Sequence, residues 1–314
     1  MENDSLIKVE HLSRRYGDNL AVNDVSFEVK RGEVLGFLGP NGAGKSTTMQ
    51  MLTGNLAPSA GRITINGIDI LERPKEAKLT LGFLPEQPPL YRELSVDEYL
   101  LFCARLNRIG KGQVARAVAQ AKERCGLTEV GRRLINNLSK GYQQRVGIAQ
   151  AIIHSPDVVI LDEPTVGLDP IQIREIRKLI RELGGEHSVI LSTHILPEVQ
   201  ATCDRVQIIN KGQLVLSDSI EGLTRRMQTS SLVVALRRPP ATEQLQAIAG
   251  VQTVEMLEDG RLRLSHDPQQ NPAEAVVEQA VAQNWGLYEL SPERLSLEDV
   301  FVNITTTEQK EEAA

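Results

Sequence analysis

Nine consecutive residues, Gly39-Pro40-Asn41-Gly42-Ala43-Gly44-Lys45-Ser46-Thr47, constrain this chain more than any other segment. They fit the pattern G-x-x-x-x-G-K-[ST] without a mismatch. The apolar run Val34–Leu38 comes before them and the helical stretch Thr48–Leu52 after them. A buried strand, a glycine-rich turn and a helix in that order form a phosphate cradle. The glycines let backbone N–H groups curl around phosphate oxygens, and the helix N-terminus adds partial positive charge. Lys45 is placed to reach the outer phosphates, and the Ser46 hydroxyl to bind Mg²⁺.

The surrounding pattern is α/β. Ile7–Val9 and Val25–Val29 alternate with period two. Short apolar runs at 34–38, 80–84, 158–161, 188–191 and 206–209 read as buried strands. Helical patterns such as 96–106 and 144–153 lie between them. Strands alternating with helices predict a mostly parallel sheet covered on both faces. One of these strands, Val158-Val159-Ile160-Leu161, ends in Asp162-Glu163. At a strand's carboxyl end, Asp162 can hold Mg²⁺ through its water shell. Glu163 points elsewhere and can orient and deprotonate a water that attacks a terminal phosphate.

Composition removes several classes of function. No apolar run approaches the roughly 18–20 residues of a membrane span. The opening Met1-Glu2-Asn3-Asp4 is polar and acidic, so no secretion signal is expected. Cys103, Cys125 and Cys203 show no C-x-x-C spacing, which argues against zinc ribbons, disulfide frameworks and thioredoxin-like sites. With 4% aromatic residues and a net charge of −6, the chain lacks the stacking platform of a single-strand nucleic-acid binder.

Charge is uneven. Residues 230–314 hold 6 basic and 14 acidic residues, whereas 1–229 hold 29 and 27. This shift places a domain boundary at 229/230, in the polar stretch Gln228–Ser231. Beyond it the chain reads strand 232–236, helix 242–249, a hairpin 253–264 turning at Glu258-Asp259-Gly260, helix 272–283 and strand 287–290. That β-α-β-β-α-β order is the split βαβ, or ferredoxin-like, arrangement of a small α+β domain over 230–305. An amphipathic turn is expected over 297–304, and a disordered tail over 306–314.

The larger part resembles the ATP-binding subunit of an ATP-binding cassette (ABC) transporter. Leu138-Ser139-Lys140-Gly141-Tyr142-Gln143-Gln144-Arg145 resembles the family's signature, with Lys140 where glycine is usual. The resemblance implies an ABC-type fold with a helical insert, in which Ser139 and Gly141 meet the terminal phosphate of ATP. It implies that Tyr16 stacks on adenine and that Gln87 links Mg²⁺ to the transport partner. Asp169, in Gly167-Leu168-Asp169, belongs to a loop that crosses to a second subunit. His194 matches the switch histidine, catalytic beside Glu163. His11, His154, His187 and His266 receive no role.

By the same resemblance, the signature serves a nucleotide held by another subunit. The implied assembly is a head-to-tail dimer with ATP and Mg²⁺ at its interface, formed with a second copy or a homologous cassette. It would sit peripherally on the cytoplasmic face of the cell membrane. The insert between Gln87 and Leu138, opening at Pro88-Pro89-Leu90-Tyr91, would touch integral-membrane permease subunits. The stretches Leu138–Tyr142, Pro164–Pro170 and Leu297–Phe301 resemble the bacterial ABC-2 exporter branch. The alternative is a soluble ABC ATPase working on ribosomes or DNA. Against it, the chain has one phosphate loop, no charged linker between two cassettes and no sustained heptads. No nucleic-acid partner is expected.

Overall fold

The structure is a computed structural model that describes residues 5–267 and 269–294. The turn expected over 297–304 and the tail over 306–314 lie outside the described residues. The chain divides into two compact units, Met1–Ile220 and Glu221–Ala314.

The first unit opens with a long hairpin, β1 (Ser5–Tyr16) and β2 (Asn19–Lys30), and then enters β3 (Val34–Leu38). The phosphate loop follows and leads into α1 (Lys45–Leu52). Next come β4 (Ala60–Ile65), β5 (Ile68–Asp69), α2 (Pro74–Leu79) and β6 (Leu81–Leu84). The helical insert holds α3 (Val96–Leu106) and α4 (Val114–Arg124), and α5 (Lys140–Ile152) returns to the sheet. Ser95 and Glu98 close a reciprocal capping box that fixes where α3 starts. The unit ends with β7 (Val158–Asp162), α6 (Pro170–Leu183), β8 (Ser188–Thr193), α7 (Leu196–Thr202), β9 (Arg205–Asn210) and β10 (Gln213–Ser219).

These strands form two sheets rather than one. The six-stranded sheet runs β10-β9-β3-β8-β7-β6 and is parallel except for β10. A separate antiparallel sheet runs β2-β1-β4-β5. Both faces of the parallel sheet are covered, as expected, but one of them carries a second sheet as well as a helix. One face of the parallel sheet shares a core with α1 and the antiparallel sheet, through Phe27, Val29, Phe37, Met49 and Ile160. The cause is visible in β2, whose inward Val25, Phe27 and Val29 alternate with exposed Ser26, Glu28 and Lys30. On the opposite face, Gly36 lets α7 approach so closely that a Cβ there would lie 2.6 Å from a Val199 methyl.

The three cysteines are free and buried. Burial pushes the Cys103 thiol up to about 11 and those of Cys125 and Cys203 up to about 12, so none is a ready nucleophile.

Helix α8 (Ile220–Met227) leads into the second unit, so the division falls ahead of the boundary expected at 229/230. The polar Gln228–Ser231 is no linker but the start of β11 (Gln228–Leu236). Then follow α9 (Thr242–Gln246), β12 (Val251–Met256), β13 (Leu262–His266), α10 (Ala273–Ala282) and β14 (Leu287–Arg294). The sheet order is β12-β13-β11-β14, antiparallel throughout, which is the split βαβ topology. Its core holds Leu232, Val234, Leu245, Leu264, Val276 and Trp285.

Candidate active site

The order of the parallel sheet puts β3, β8 and β7 side by side. All three run the same way, so the loops leaving their carboxyl ends converge. In open α/β sheets this is where ligands bind. The phosphate loop leaves β3, Glu163 follows β7, and His194 follows β8. The cleft they form holds about 410 Å³ and is lined by Asn41, Gly42, Gly44, Lys45, Ser46 and Thr47. Ala21, Glu86, Glu163, Val166 and His194 complete it.

Local sequence explains the loop's shape. Gly44 caps α1 at φ 105°, in the left-handed region, and a Cβ there would lie 2.6 Å from the Ala21 carbonyl oxygen. At Gly39 a Cβ would collide with the carbonyl oxygen of Ile209. No acidic side chain occupies the first turn of α1, so its positive end is left for a phosphate.

Lys45 is 6% exposed. Its ammonium donates to the carbonyl oxygens of Gly39 (2.9 Å) and Pro40 (3.3 Å) and stands 3.3 Å from Glu163 Oε1. Glu163, itself buried, meets His194 on its other side, with Nδ1 lying 3.1 Å from Oε1 and 3.0 Å from Oε2. A carboxylate that accepts here takes the hydrogen bond from Nδ1, the ring nitrogen turned towards it. The Glu163 backbone sits at φ 47°, a left-handed conformation that costs a non-glycine residue about 1–3 kcal/mol. Its amide donates to the Ser192 carbonyl, 2.9 Å away, which ties the β7 loop to β8.

Asp162 is also buried, and its Oδ1 has no hydrogen-bond partner. Burial raises its carboxyl above the ordinary carboxylate value, while the neighbouring Ser192 and Ser46 hydroxyls pull the other way. An orphaned carboxylate oxygen beside a serine hydroxyl is a hard-oxygen donor set and fits Mg²⁺. Among the described residues no cluster of three or more His, Cys, Asp or Glu side chains could hold a metal. Mg²⁺ is suited to such a partial set, since it keeps several waters and relies on substrate phosphates.

The structure thus brings together the loop residues Gly39–Thr47 with Asp162, Glu163 and His194. Other expected residues stand apart from the cleft lining. Gln87 is exposed and does not line the cleft, whereas its neighbour Glu86 does. Only one position separates them, and the strand pattern ending at Leu84 carries no information on which of the two turns inward. Glu86 is also close enough for its charge to push up the Asp162 carboxyl. The Tyr16 ring is 45% exposed and stacks under the Arg14 guanidinium, 4.7 Å from its centroid.

Ser139 caps α5, and Gly141 lies against Gln172. Asp169 caps α6, accepting from the amides of Ile171 and Gln172 at 2.9 Å each. Lys140 is exposed, with its ammonium beside Gly167.

Known proteins resemble this chain in both sequence and fold. A family model described as "ABC transporter" matches residues 22–166. The bacitracin transport ATP-binding protein BcrA of Bacillus licheniformis is 34% identical over 303 residues, covering 96% of this chain and 97% of that protein. The linearmycin resistance ATP-binding protein LnrL of Bacillus subtilis (strain 168) is 30% identical over 305 residues, covering 96% and 98%. Among solved structures, cbiO1 from Clostridium perfringens, part of the ABC transporter complex cbiONQ, matches with a TM-score of 0.65 and 33% identity. That match covers 70% of this chain and 91% of cbiO1.

Proposed function

The chain belongs to the ABC transporter family as an ATP-binding, ATP-hydrolysing subunit, and we propose on that premise that it powers a separate membrane permease of the ABC-2 exporter type. The relatives named for bacitracin transport and linearmycin resistance match it along almost their whole length, which supports an export role. Among the described residues no helix is long and apolar enough to cross a membrane, so a transport role needs a spanning partner. The helical insert offers it a surface. Tyr91, Phe102 and Leu106 are exposed there, and Tyr91 packs edge-on against both Tyr99 and Phe102. With Pro89 and Phe83 they line a groove of about 480 Å³. Docking there would hold the subunit peripherally on the cytoplasmic face of the cell membrane.

One observation carries the chemistry: Lys45, Asp162, Glu163 and His194 meet at the carboxyl ends of adjacent parallel strands. Lys45 would grip the outer phosphates, and the loop amides would cradle the rest. Ser46 and Asp162 would hold Mg²⁺, with Glu86 rather than Gln87 on the cleft side of the next loop. Bound there, the ion would neutralise phosphate charge. Glu163 would orient the attacking water and take its proton, while His194, bonded to the same carboxylate, would orient it. Lys45 faces Glu163 at 3.3 Å, so a phosphate that engages Lys45 would release Glu163 for water.

Ser139, Gly141 and Asp169 do not line the cleft of their own chain. That supports a head-to-tail dimer in which each phosphate loop is completed by the other subunit's signature.

The test is Glu163→Gln, which keeps shape and removes the base. ATP binding should survive while turnover falls about 10²-fold or more. The variant should also accumulate as an ATP-bound dimer on size exclusion. Wild-type turnover would remove Glu163 from the chemistry.

A further inference from the structure

Glu198 is an ionisable side chain that the site described above does not use. It lies in the first turn of α7 and is 1% exposed. Such a charge is costly to bury unless its oxygens are satisfied. Both are. Oε1 accepts from the Thr165 hydroxyl at 2.5 Å, and Oε2 accepts from the Thr193 hydroxyl at 2.9 Å. The Arg177 guanidinium of α6 stands 3.6 Å from Oε1.

The two threonines are not arbitrary partners. Thr165 is two residues beyond Glu163, and Thr193 is the residue before His194. Thr193 also accepts from the Ile195 amide at 3.1 Å, which fixes the turn that carries His194. The Glu163 loop and the His194 loop are therefore joined twice. Glu163 and His194 join them on the cleft side, and Thr165, Glu198 and Thr193 join them underneath. The left-handed backbone at Glu163 needs surroundings that over-determine it, and the lower join provides them.

We propose that Glu198 is a positioning residue for hydrolysis: a buried carboxylate whose two oxygens lock the loop of Glu163 to the loop of His194. It is buried and does not line the cleft, and it acts through where those two side chains stand. This rests on the reading that Glu163 and His194 carry the chemistry. Through Arg177 it also reaches α6, which Asp169 caps.

The experiment uses the full chain, with MgATP as probe. Glu198→Gln keeps the size but replaces one accepting oxygen by an NH₂ group, so one threonine hydroxyl loses its acceptor. A displacement of about 1 Å at a catalytic group costs on the order of 10²-fold. The expected result is a fall in kcat of about 10- to 100-fold, with the Kd for ATP within about 3-fold and the melting temperature nearly unchanged. In a His194→Ala background the same substitution should cost far less, because the two act as one unit.

Thr165→Val, which removes one hydroxyl with little change of volume, reads the same lock should Glu198→Gln not fold. It should lower kcat while leaving ATP affinity unchanged. Unchanged kcat in a folded variant would overturn the proposal. So would a parallel loss of kcat, affinity and melting temperature, or full additivity with His194→Ala. Glu163→Gln, run alongside, separates the two readings. Retained turnover there would remove the base, whereas a silent Glu198→Gln would remove only the lock.

Discussion

In the first unit, Asp162 keeps a buried oxygen without a partner and Glu163 holds a left-handed backbone. In the second unit, Arg263 lies across the sheet with its guanidinium shared between Glu255 and Glu293, and Arg261 is shared between Asp259 and Glu289. Among the described residues, every buried side-chain nitrogen or oxygen without a partner belongs to the first unit. Among the described residues, Asp162 has the one orphaned buried carboxylate oxygen, and it stands directly before the left-handed Glu163. An unsatisfied buried carboxylate and a strained backbone are local costs that persist when something outside the chain completes them. Charges that already satisfy one another at the surface point to solvation rather than binding.

The largest effect that would break this comparison is at Lys45. It is the main charge-assisted donor to the outer phosphates. Lys45→Ala should weaken ATP binding by at least about 100-fold, the scale of losing a strong hydrogen bond to a charged group. Equilibrium titration with a fluorescent ATP analogue measures it. Near-normal affinity would mean that the cleft does not take phosphate through this residue.

Most of that cleft was legible in the sequence because its chemistry is local. The glycines, Lys45 and Ser46 lie in one loop, and Asp162-Glu163 end one apolar strand. The split βαβ unit was legible for a similar reason, since the Glu258-Asp259-Gly260 turn and the flanking periods specify neighbouring elements. What escaped was non-local. The antiparallel sheet unites β1, β2 and β4, whose pairings join residues as distant as Ile7 and Ile65. Glu198 escaped because Thr165 is 33 residues away and a hydroxyl donor leaves no pattern in sequence. Glu86 escaped because the strand period stops at Leu84 and says nothing of which side chain in the following loop turns to the cleft.

A smaller effect sharpens the comparison at Asp162. Burial raises its folded carboxyl above the ordinary value. The unfolded chain therefore releases this proton at lower pH than the folded one does. Stability falls as pH rises through that window, and the deficit remains above it. Without nucleotide or divalent cation, Asp162→Asn should melt at a higher temperature than wild type at pH 7. The gain should vanish as pH drops below the ordinary carboxylate range. Calorimetry across pH 3–8 would follow it, and a lower melting temperature at pH 7 would show that Asp162 is already satisfied within the chain. With MgATP present the sign should reverse in function: the variant should lose Mg²⁺-dependent turnover despite its greater stability. Stability and activity trade places in this way only where a strained or unsatisfied group serves a ligand.

The smallest effect is expected at Arg263, where charge and packing can be separated. Its Nε and a terminal nitrogen make a two-pronged contact with Glu293 at 2.7–3.0 Å, and the other terminal nitrogen donates to Glu255 at 2.8 Å. These contacts raise the Arg263 guanidinium above its ordinary value, which matters little because arginine is charged throughout the working range. Arg263 is a cross-strand neighbour of Val233 on β11 and of Glu255 on β12. Val233 is only 8% exposed although it shares a face with charged residues. The aliphatic stem of Arg263 is placed to cover it, as long basic side chains do on apolar surface.

Arg263→Met keeps a stem of similar reach and removes only the charge. It should cost no more than about 1 kcal/mol, the range of an exposed ion pair, and the cost should shrink in high salt. Arg263→Ala also bares Val233. It should cost more than the methionine variant, and the excess should persist in 1 M salt, because apolar burial is not screened. Urea denaturation of both variants at low and high salt separates the two contributions. If methionine costs as much as alanine and salt removes the whole effect, the stem covers nothing and charge alone holds this face. If either variant also changes the affinity for ATP, the second unit's charges are not confined to their own surface, and the comparison drawn between the two units fails.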